Sequence, residues 1–503
     1  MSLLGIDVGS SSVKLGAYSE EGELLAVVRS DLNPRHPQPG WWEQDPEEVW
    51  QTACNLVRSI VREEALKRDP PKAIAISASV RENFPADSKG NPLGPCIMAA
   101  DVRGNEFEIS PQGVSLPEPV SLSCGHLRER MDPFNRILWW KKNSPDVLKQ
   151  ARFFLGWHEY LALKMCGRAV TDRTIAGRWL IYDLDSGGWV TDRLSEYGVT
   201  EELLPEILPW GTIVAEVKKE VADDWGISQP LQFAVGASDL NCAALGAGVS
   251  AVGDAALVSG SFENLLIPTD EFPTATMLLR GLSVTAHPGA SKHAVWAICP
   301  TGTAVLNWAR NLMNVPIEDL DVKLEKSGLS PSPVLAVPYL SGAFNYWEDG
   351  RKLRGALFGL TLATSQIDIT KAFMESITYD HVNTLSLLRG EQVKVDYVRA
   401  MGGGSRSVWW TQLKSDMMGI PVEVIRQPEP GTLGAALLAG LAVGSFDDLT
   451  EASQAFAGMI RVHEPDPKRA GLHREQLEVY RSAVKNTLST FYASRKQSTG
   501  SPQ

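Results

Sequence analysis

The first strong pattern of apolar and polar positions is LLGIDVGSSSVKLGAYSEEGELL, residues 3–25. An apolar run ends at Asp7 and is followed by Gly9-Ser10-Ser11-Ser12. Alternation then resumes, with Val13, Leu15 and Ala17 set against Lys14, Gly16 and Tyr18. A period of two predicts a second strand, not a helix. Glu20-Glu21-Gly22 then turns the chain into a third apolar run, Leu24–Val28. Shorter β-type runs follow at 73–78, 232–235, 255–258 and 397–401. Helical segments between them begin on acids: Asp45 precedes Pro46, Glu47 and Glu48, the pattern of a capping Asp with proline in the first turn. Strands and helices mixed along the whole chain predict α/β lobes. Residues 253–268, GDAALVSGSFENLLIP, echo the opening, with an apolar run, a turn at Ser259-Gly260-Ser261 and another apolar run. Two strand–turn–strand units, each near the start of one half of the chain, predict a duplicated lobe.

At 503 residues the chain is too long for one ordinary core and has room for two large domains or about three. With 44% apolar and 21% charged residues it has the composition of a soluble globular protein. A net charge of −12 argues against a nucleic-acid binder, which would need a basic face. It does not attract phosphate either, so phosphate binding would have to rest on local dipoles and a metal. Six scattered cysteines without a CxxC pair, and eight histidines without HExxH spacing, point to a reduced, cytoplasmic protein without a zinc site. Asp7 interrupts the first apolar run too early for a signal peptide. The longest uncharged stretch, 430–446, is rich in Ala and Gly and shorter than the ~20 residues of a membrane span, so it reads as a buried helix. The tail from Ser494 is polar and predicted to be disordered.

The turn after Asp7 offers a glycine and three hydroxyls to an anion. It is not a P-loop, because GxxxxGK[ST] opens a helix and here a strand follows. Two such hairpins facing one another would clamp a nucleotide. Asp239 stands in AVGASDLNCAALGAG (234–248), a small, apolar, glycine-rich setting. Two roles fit it locally. It could cap a helix Leu240–Ala247, or act as a general base whose charge the helix N-terminus supports.

Nine motifs occur in one order: GIDVGSSSVK, PGWWEQDPEEVW (39–50), ASDLNCAALGAG, GDAALVSGS, GTAVLNW (302–308), VPYLSG (337–342), RGALFGLT (354–361), MGGGSRSVWWTQLKSDMMGIPV (401–422) and EPGTLGAALLAGLAVG (429–444). In them the chain resembles the FGGY family of carbohydrate kinases, over nearly its whole length to about residue 485. The resemblance implies an α/β fold of two actin- or hexokinase-like (ribonuclease H-like) lobes hinged around a central ATP cleft. It implies lobes at 1–248 and 249–490, with a tail at 491–503. ATP and Mg²⁺ are the implied cofactors. Asp7 would hold Mg²⁺ through water, and Gly9, Ser10, Ser11, Ser12 and Lys14 would contact phosphates. Gly260 and Ser261 would approach the phosphates from the other lobe. Gly302, Asn307, Gly403, Gly404 and Ser405 would surround adenosine, while Trp308, Trp409 and Trp410 read as packing. Asp239 matches the family's general base, which takes the proton of the attacking sugar hydroxyl.

The match weakens at the sugar. Xylulokinase-type members carry Gln-Met-His-Gly where this chain has Ser79-Val80-Arg81-Glu82, a pair similar to that of glycerol kinases and autoinducer kinases. Arg81 and Glu82 would grip adjacent hydroxyls, unless they are a surface ion pair. AADVRG (99–104) fits the family's Asp-x-Arg element, so Asp101 and Arg103 would line or brace the sugar pocket. Ala99 and Phe262 depart from the family pattern, as does SGAFNYW (341–347), and these changes suggest a reshaped pocket. The implied activity is ATP-dependent phosphorylation of a hydroxyl of a small sugar in a xylulokinase-like enzyme. The alternatives are a kinase for a short polyol, another ketose or an autoinducer-type sugar, a non-catalytic sensor of ATP and sugar, and an actin-like assembly ATPase. The expected partners are a small sugar or polyol, with neither nucleic acid nor membrane, and a second copy of the chain in a homodimer is a further candidate.

Overall fold

The computed structural model describes residues 1–107, 119–127, 132–343, 347 and 350–498. The chain forms two compact units. The first holds residues 1–251, 284–294 and 427–458; the second holds 252–283, 295–426 and the chain from Met459 on.

In the first unit the opening pattern folds as three antiparallel strands, Ser2–Val8, Ser12–Tyr18 and Leu24–Asp31. Strand Pro71–Ala78 runs parallel to the first. Gln232–Ala234 lies parallel beyond it, and Ile213–Glu216 closes that edge antiparallel. Ser2–Val8 is buried at nearly every position, so it reads as a continuous apolar run, as strands covered on both faces do. One face packs with helix Pro46–Ile60, which Asp45 caps by accepting from Glu47 N–H, as the Asp-Pro pattern predicts. Helices Asp239–Gly246 and Pro430–Ala442 pack with the other face.

The stretch from Pro430 is the expected buried helix, but it belongs to the first unit, together with 284–294. The lobe bounds implied by the family resemblance, 1–248 and 249–490, divide the sequence, whereas these two segments pack in the first unit. The physical reason is its small residues. A Cβ on Gly434 would stand 1.9 Å from the Cys242 carbonyl oxygen, so this helix can approach helix Asp239–Gly246 only with glycine there. Gly434→Ala should force the two backbones apart and destabilise the first unit by ~1–3 kcal/mol, read as a lower melting temperature. An unchanged melting temperature would show that the contact can relax.

The second unit repeats the arrangement. Glu263–Thr269 and Ala256–Ser259 form an antiparallel hairpin, Val398–Met401 lies parallel to the latter, and Val422–Ile425 lies parallel beyond it. Met459–His463 closes that edge antiparallel. The order antiparallel, parallel, parallel, antiparallel is that of the first sheet, so the echo between residues 3–25 and 253–268 is a structural repeat. Helix Pro467–Ser498 continues past residue 491 and past Ser494, from which composition predicts a disordered tail; residues 499–503 lie outside the described residues. None of the described helices is long and apolar enough to cross a membrane.

Candidate active site

Strand register assembles the first-unit site. Asp7 stands opposite Lys14 in the hairpin and beside Ser77 in the parallel strand. Ser77 in turn pairs with Ala237, two residues before Asp239. Asp7, Ser77–Ser79 and Asp239 therefore lie at the carboxyl ends of three adjacent parallel strands, the usual ligand side of such sheets.

Ser77 Oγ donates to Asp7 Oδ1 (2.6 Å). Burial pushes the Asp7 carboxyl up, opposed by that hydrogen bond and by the charge of Lys14. The first turn of helix Pro430–Ala442 lies against it: a Cβ on Gly431 would sit 3.1 Å from Asp7 Cγ. The turn itself is tight, with Gly9 N–H donating to the Ser12 carbonyl (3.0 Å). Ser10 and Ser11 are exposed, whereas Ser12 is buried. Lys14 Nζ is paired with Glu429 Oε2 at 2.5 Å, so its charge is already engaged.

Asp239 is not the helix cap. Ser238 holds that place: its extended backbone pairs with strand Pro71–Ala78, and its Oγ accepts from Asn241 N–H (3.4 Å) and Nδ2 (2.9 Å). Asp239, the first helical residue, accepts only from its neighbour Leu240 N–H among the bonds described (2.7 Å). Its half-buried carboxyl is pushed up to about 7, first by burial and then by the negative charges of Asp7 and Glu82.

Several supporting residues carried no motif. Ser238 N–H donates to Thr174 Oγ1 (2.8 Å), which donates to buried Asp172 (3.0 Å). His287 Nδ1–H donates to Asn241 Oδ1 (2.9 Å), and burial holds the imidazole neutral, with its pKa down at about 3. Ser77 sits in an apolar strand, and His287 comes from a segment distant in sequence. No local signal marks either one.

Arg81 and Glu82 are not a surface pair. They are 8% and 3% exposed, and Glu82 Oε2 accepts from Arg81 N–H (3.0 Å). Buried Arg136 donates to the Arg81 and Met98 carbonyls. Asp101 is fully engaged: Arg103 forks onto both its oxygens (2.9 and 2.6 Å), and Trp42 N–H donates to Oδ2 (2.6 Å). Arg103 also bonds Glu43 (2.7 Å) and lies 4.1 Å over the Trp41 ring. Asp101 and Arg103 thus brace the structure, and Asp101 has no oxygen left unbonded for a sugar.

In the second unit the Gly260–Ser261 turn is fastened to helix Thr303–Leu312. Thr303 N–H and Oγ1 donate to the Gly260 carbonyl (2.9 and 2.8 Å), and Ala304 N–H donates to that of Ser261 (3.2 Å). A Cβ on Gly302 would lie 2.8 Å from both carbonyl oxygens. Gly402, at φ +86°, adopts a conformation that favours glycine, and a Cβ there would stand 2.7 Å from the Ser259 carbonyl. Gly403 is exposed beside open space, and Ser405 Oγ donates to the Gly402 carbonyl (2.8 Å). Asn307 is exposed. Trp409 and Trp410 are buried as read, but Trp308 is 46% exposed and meets Phe373 edge-on, which corrects its assignment to the core. Of SGAFNYW, residues 344–346 lie outside the described residues.

Residues 2–246 match the N-terminal domain, and 290–443 the C-terminal domain, of the FGGY family of carbohydrate kinases. The chain is 22% identical to a xylulose kinase of Staphylococcus epidermidis, covering 96% of this chain and 97% of that one. It is 24% identical to an L-xylulose/3-keto-L-gulonate kinase of Escherichia coli, over 99% of both. Its fold is similar to that of a ligand-bound xylulose kinase from Lactobacillus acidophilus, with a TM-score of 0.88 at 23% identity over 98% of this chain and 99% of that one.

Proposed function

The chain belongs to the FGGY family of carbohydrate kinases, and on that premise we propose that Asp239 is the general base of an ATP-dependent kinase for a small ketose or polyol. One observation carries the assignment: Asp239 lies at the carboxyl ends of the parallel strands, uncommitted to capping, with a carboxyl poised near neutrality. A base near 7 holds much of its deprotonated form at neutral pH and still accepts a proton readily. The sugar oxygen attacks the γ-phosphorus, its proton passes to Asp239, and the bond to ADP breaks with the electron pair leaving on ADP.

Asp7 suits a magnesium ion held through water. Ser77 occupies one of its oxygens, Gly431 leaves room beside the carboxylate, and a single carboxylate with substrate phosphates is how Mg²⁺ is commonly held. Bound there, the ion would neutralise charge on the phosphates. Gly9, Ser10 and Ser11 would bind phosphate through backbone and hydroxyls, with Lys14 tuned by Glu429. In the second unit Gly260 and Ser261 would serve the phosphates, and Gly302, Asn307, Gly403, Gly404 and Ser405 the nucleoside.

Buried Arg81 and Glu82 favour an open-chain acceptor with adjacent hydroxyls, a xylulose-like ketose or a short polyol. Arg81→Ala should lower sugar kcat/KM by ~2–5 kcal/mol, because a substrate hydroxyl would be left without its polar partner, while ATP affinity barely changes. Wild-type sugar kinetics in that variant would remove the pair from the pocket. The test of the function is a coupled ADP-release screen over ketoses, aldoses, sugar acids and polyols from trioses to heptoses. No sugar-dependent ADP release across the set would defeat the proposed acceptor class.

A further inference from the structure

Beneath the second hairpin lies a buried ionic cluster that no step above uses. Ser259 and Glu263 stand opposite each other in the antiparallel pair, and Ser259 Oγ donates to Glu263 Oε1. Lys414, from helix Val408–Met418, donates to the same carboxylate oxygen (2.5 Å) and to Ser259 Oγ (3.2 Å). His381, from helix Gln366–Gly390, pairs with Glu263 Oε2. All four residues are at most 2% exposed. The Lys414 ammonium also lies 3.8 Å over the Trp410 ring. Burial disfavours the Glu263 carboxylate, but Lys414 and His381 outweigh it and hold its pKa down at about 2.

Such a cluster is a costly way to stabilise a core, since apolar residues of similar volume often do as well or better. Its location gives it another use. Ser259 immediately precedes the Gly260–Ser261 turn, and the glycine loop closes on the same residue. A Cβ on Gly404 would stand 2.2 Å from Ser259 Oγ, and one on Gly402 would stand 2.7 Å from its carbonyl oxygen. Turn and loop therefore meet at one buried residue, Ser259, and the ionic cluster holds its hydroxyl.

We propose that Glu263, Lys414 and His381 are positioning residues for nucleotide binding, fixing Ser259 and through it the Gly260–Ser261 turn and the Gly402–Ser405 loop. The inference rests on the reading that this turn and loop bind ATP. Removing the grip leaves the chain folded but the turn and loop free to drift, and small misplacements of binding groups are expensive.

The experiment uses the full chain and measures MgATP affinity by calorimetry alongside melting temperature. Ser259→Ala removes the hydroxyl but leaves the Glu263–Lys414–His381 pairing intact. The double variant Glu263→Gln/Lys414→Met removes the charges at similar volume. Both should weaken ATP binding by about tenfold, with the double variant's melting temperature near that of the wild type. Gly302→Ala is the control, because its methyl displaces the turn directly without touching the cluster. If Gly302→Ala weakens ATP binding and the other two do not, the cluster is only structural and the inference falls. If none of the three changes ATP affinity, the nucleotide reading of the turn falls and takes the inference with it. Should the double variant fail to fold, Ser259→Ala against Gly302→Ala decides.

Discussion

Asp239→Asn should slow sugar phosphorylation by ~10²–10⁴-fold, the range lost when a positioned general base can no longer accept a proton. The fold should tolerate it, because Ser238 and not Asp239 caps the helix, and an Asn oxygen can still accept from Leu240 N–H. The sign of the stability effect follows from the raised pKa. Between the ordinary carboxylate range and about 7 the native state holds a proton on Asp239 that the unfolded chain has released, so this group's contribution to stability falls as pH rises through that window. Asn carries no such charge, so the variant should melt at or above the wild-type temperature at pH 8, with the gap narrowing toward pH 5. In the wild type, kcat/KM for the sugar should rise with pH through about 7 as Asp239 of the free protein loses its proton, and the variant should lack that limb. The measurements are ADP release against pH, ATP affinity by calorimetry and thermal melts. A variant that turns over near the wild-type rate, with the same limb, would remove Asp239 from the chemistry.

The parts of this site legible in sequence are those written in local pattern. Alternation on either side of Gly9–Ser12 predicts the first hairpin, and its repetition around Gly260 predicts the second; both are present at the expected residues. What stayed hidden depends on residues distant in the chain. Whether Ser238 or Asp239 caps the helix is decided by the pairing of Ala237 and Ser238 with Ser77 and Ala78, which no window around 239 contains. Lys14 looks like a free phosphate ligand until Glu429 is found beside it. Asp101 looks like a sugar ligand until Arg103, Trp42 and Glu43 are seen to use up the motif's polar groups. The stretch from Pro430 declares itself a buried helix by composition. Its assignment to the first unit depends on glycine-mediated contact with Cys242, a matter of packing rather than pattern. Glu263, His381 and Lys414 were invisible for the same reason, since three separate elements bring them together.

Asp7 supports the second large prediction, and it separates metal binding from proton transfer. Asp7→Ala removes the carboxylate and leaves Ser77 Oγ without its acceptor at the strand end. Loss of the several kcal/mol of charge stabilisation expected of a phosphate-bound metal should cut kcat by ~10³-fold or more. Alone, that loss could reflect a collapsed hairpin, so Asp7→Asn is the sharper variant: its amide oxygen can still accept from Ser77, and its size preserves the packing against Gly431. Asn lacks the charge, so a Mg²⁺ titration of ADP release should show its half-saturation moved to higher concentration, with part of the lost rate recovered at high Mg²⁺. The near-neutral limb assigned to Asp239 should persist, moved to lower pH because one of the negative charges that raise Asp239 has gone. That pairing of effects belongs to a metal-holding acid next to a separate base. If Asp7→Asn instead abolishes the limb and leaves the Mg²⁺ dependence unchanged, Asp7 is the proton acceptor and the two roles must be exchanged.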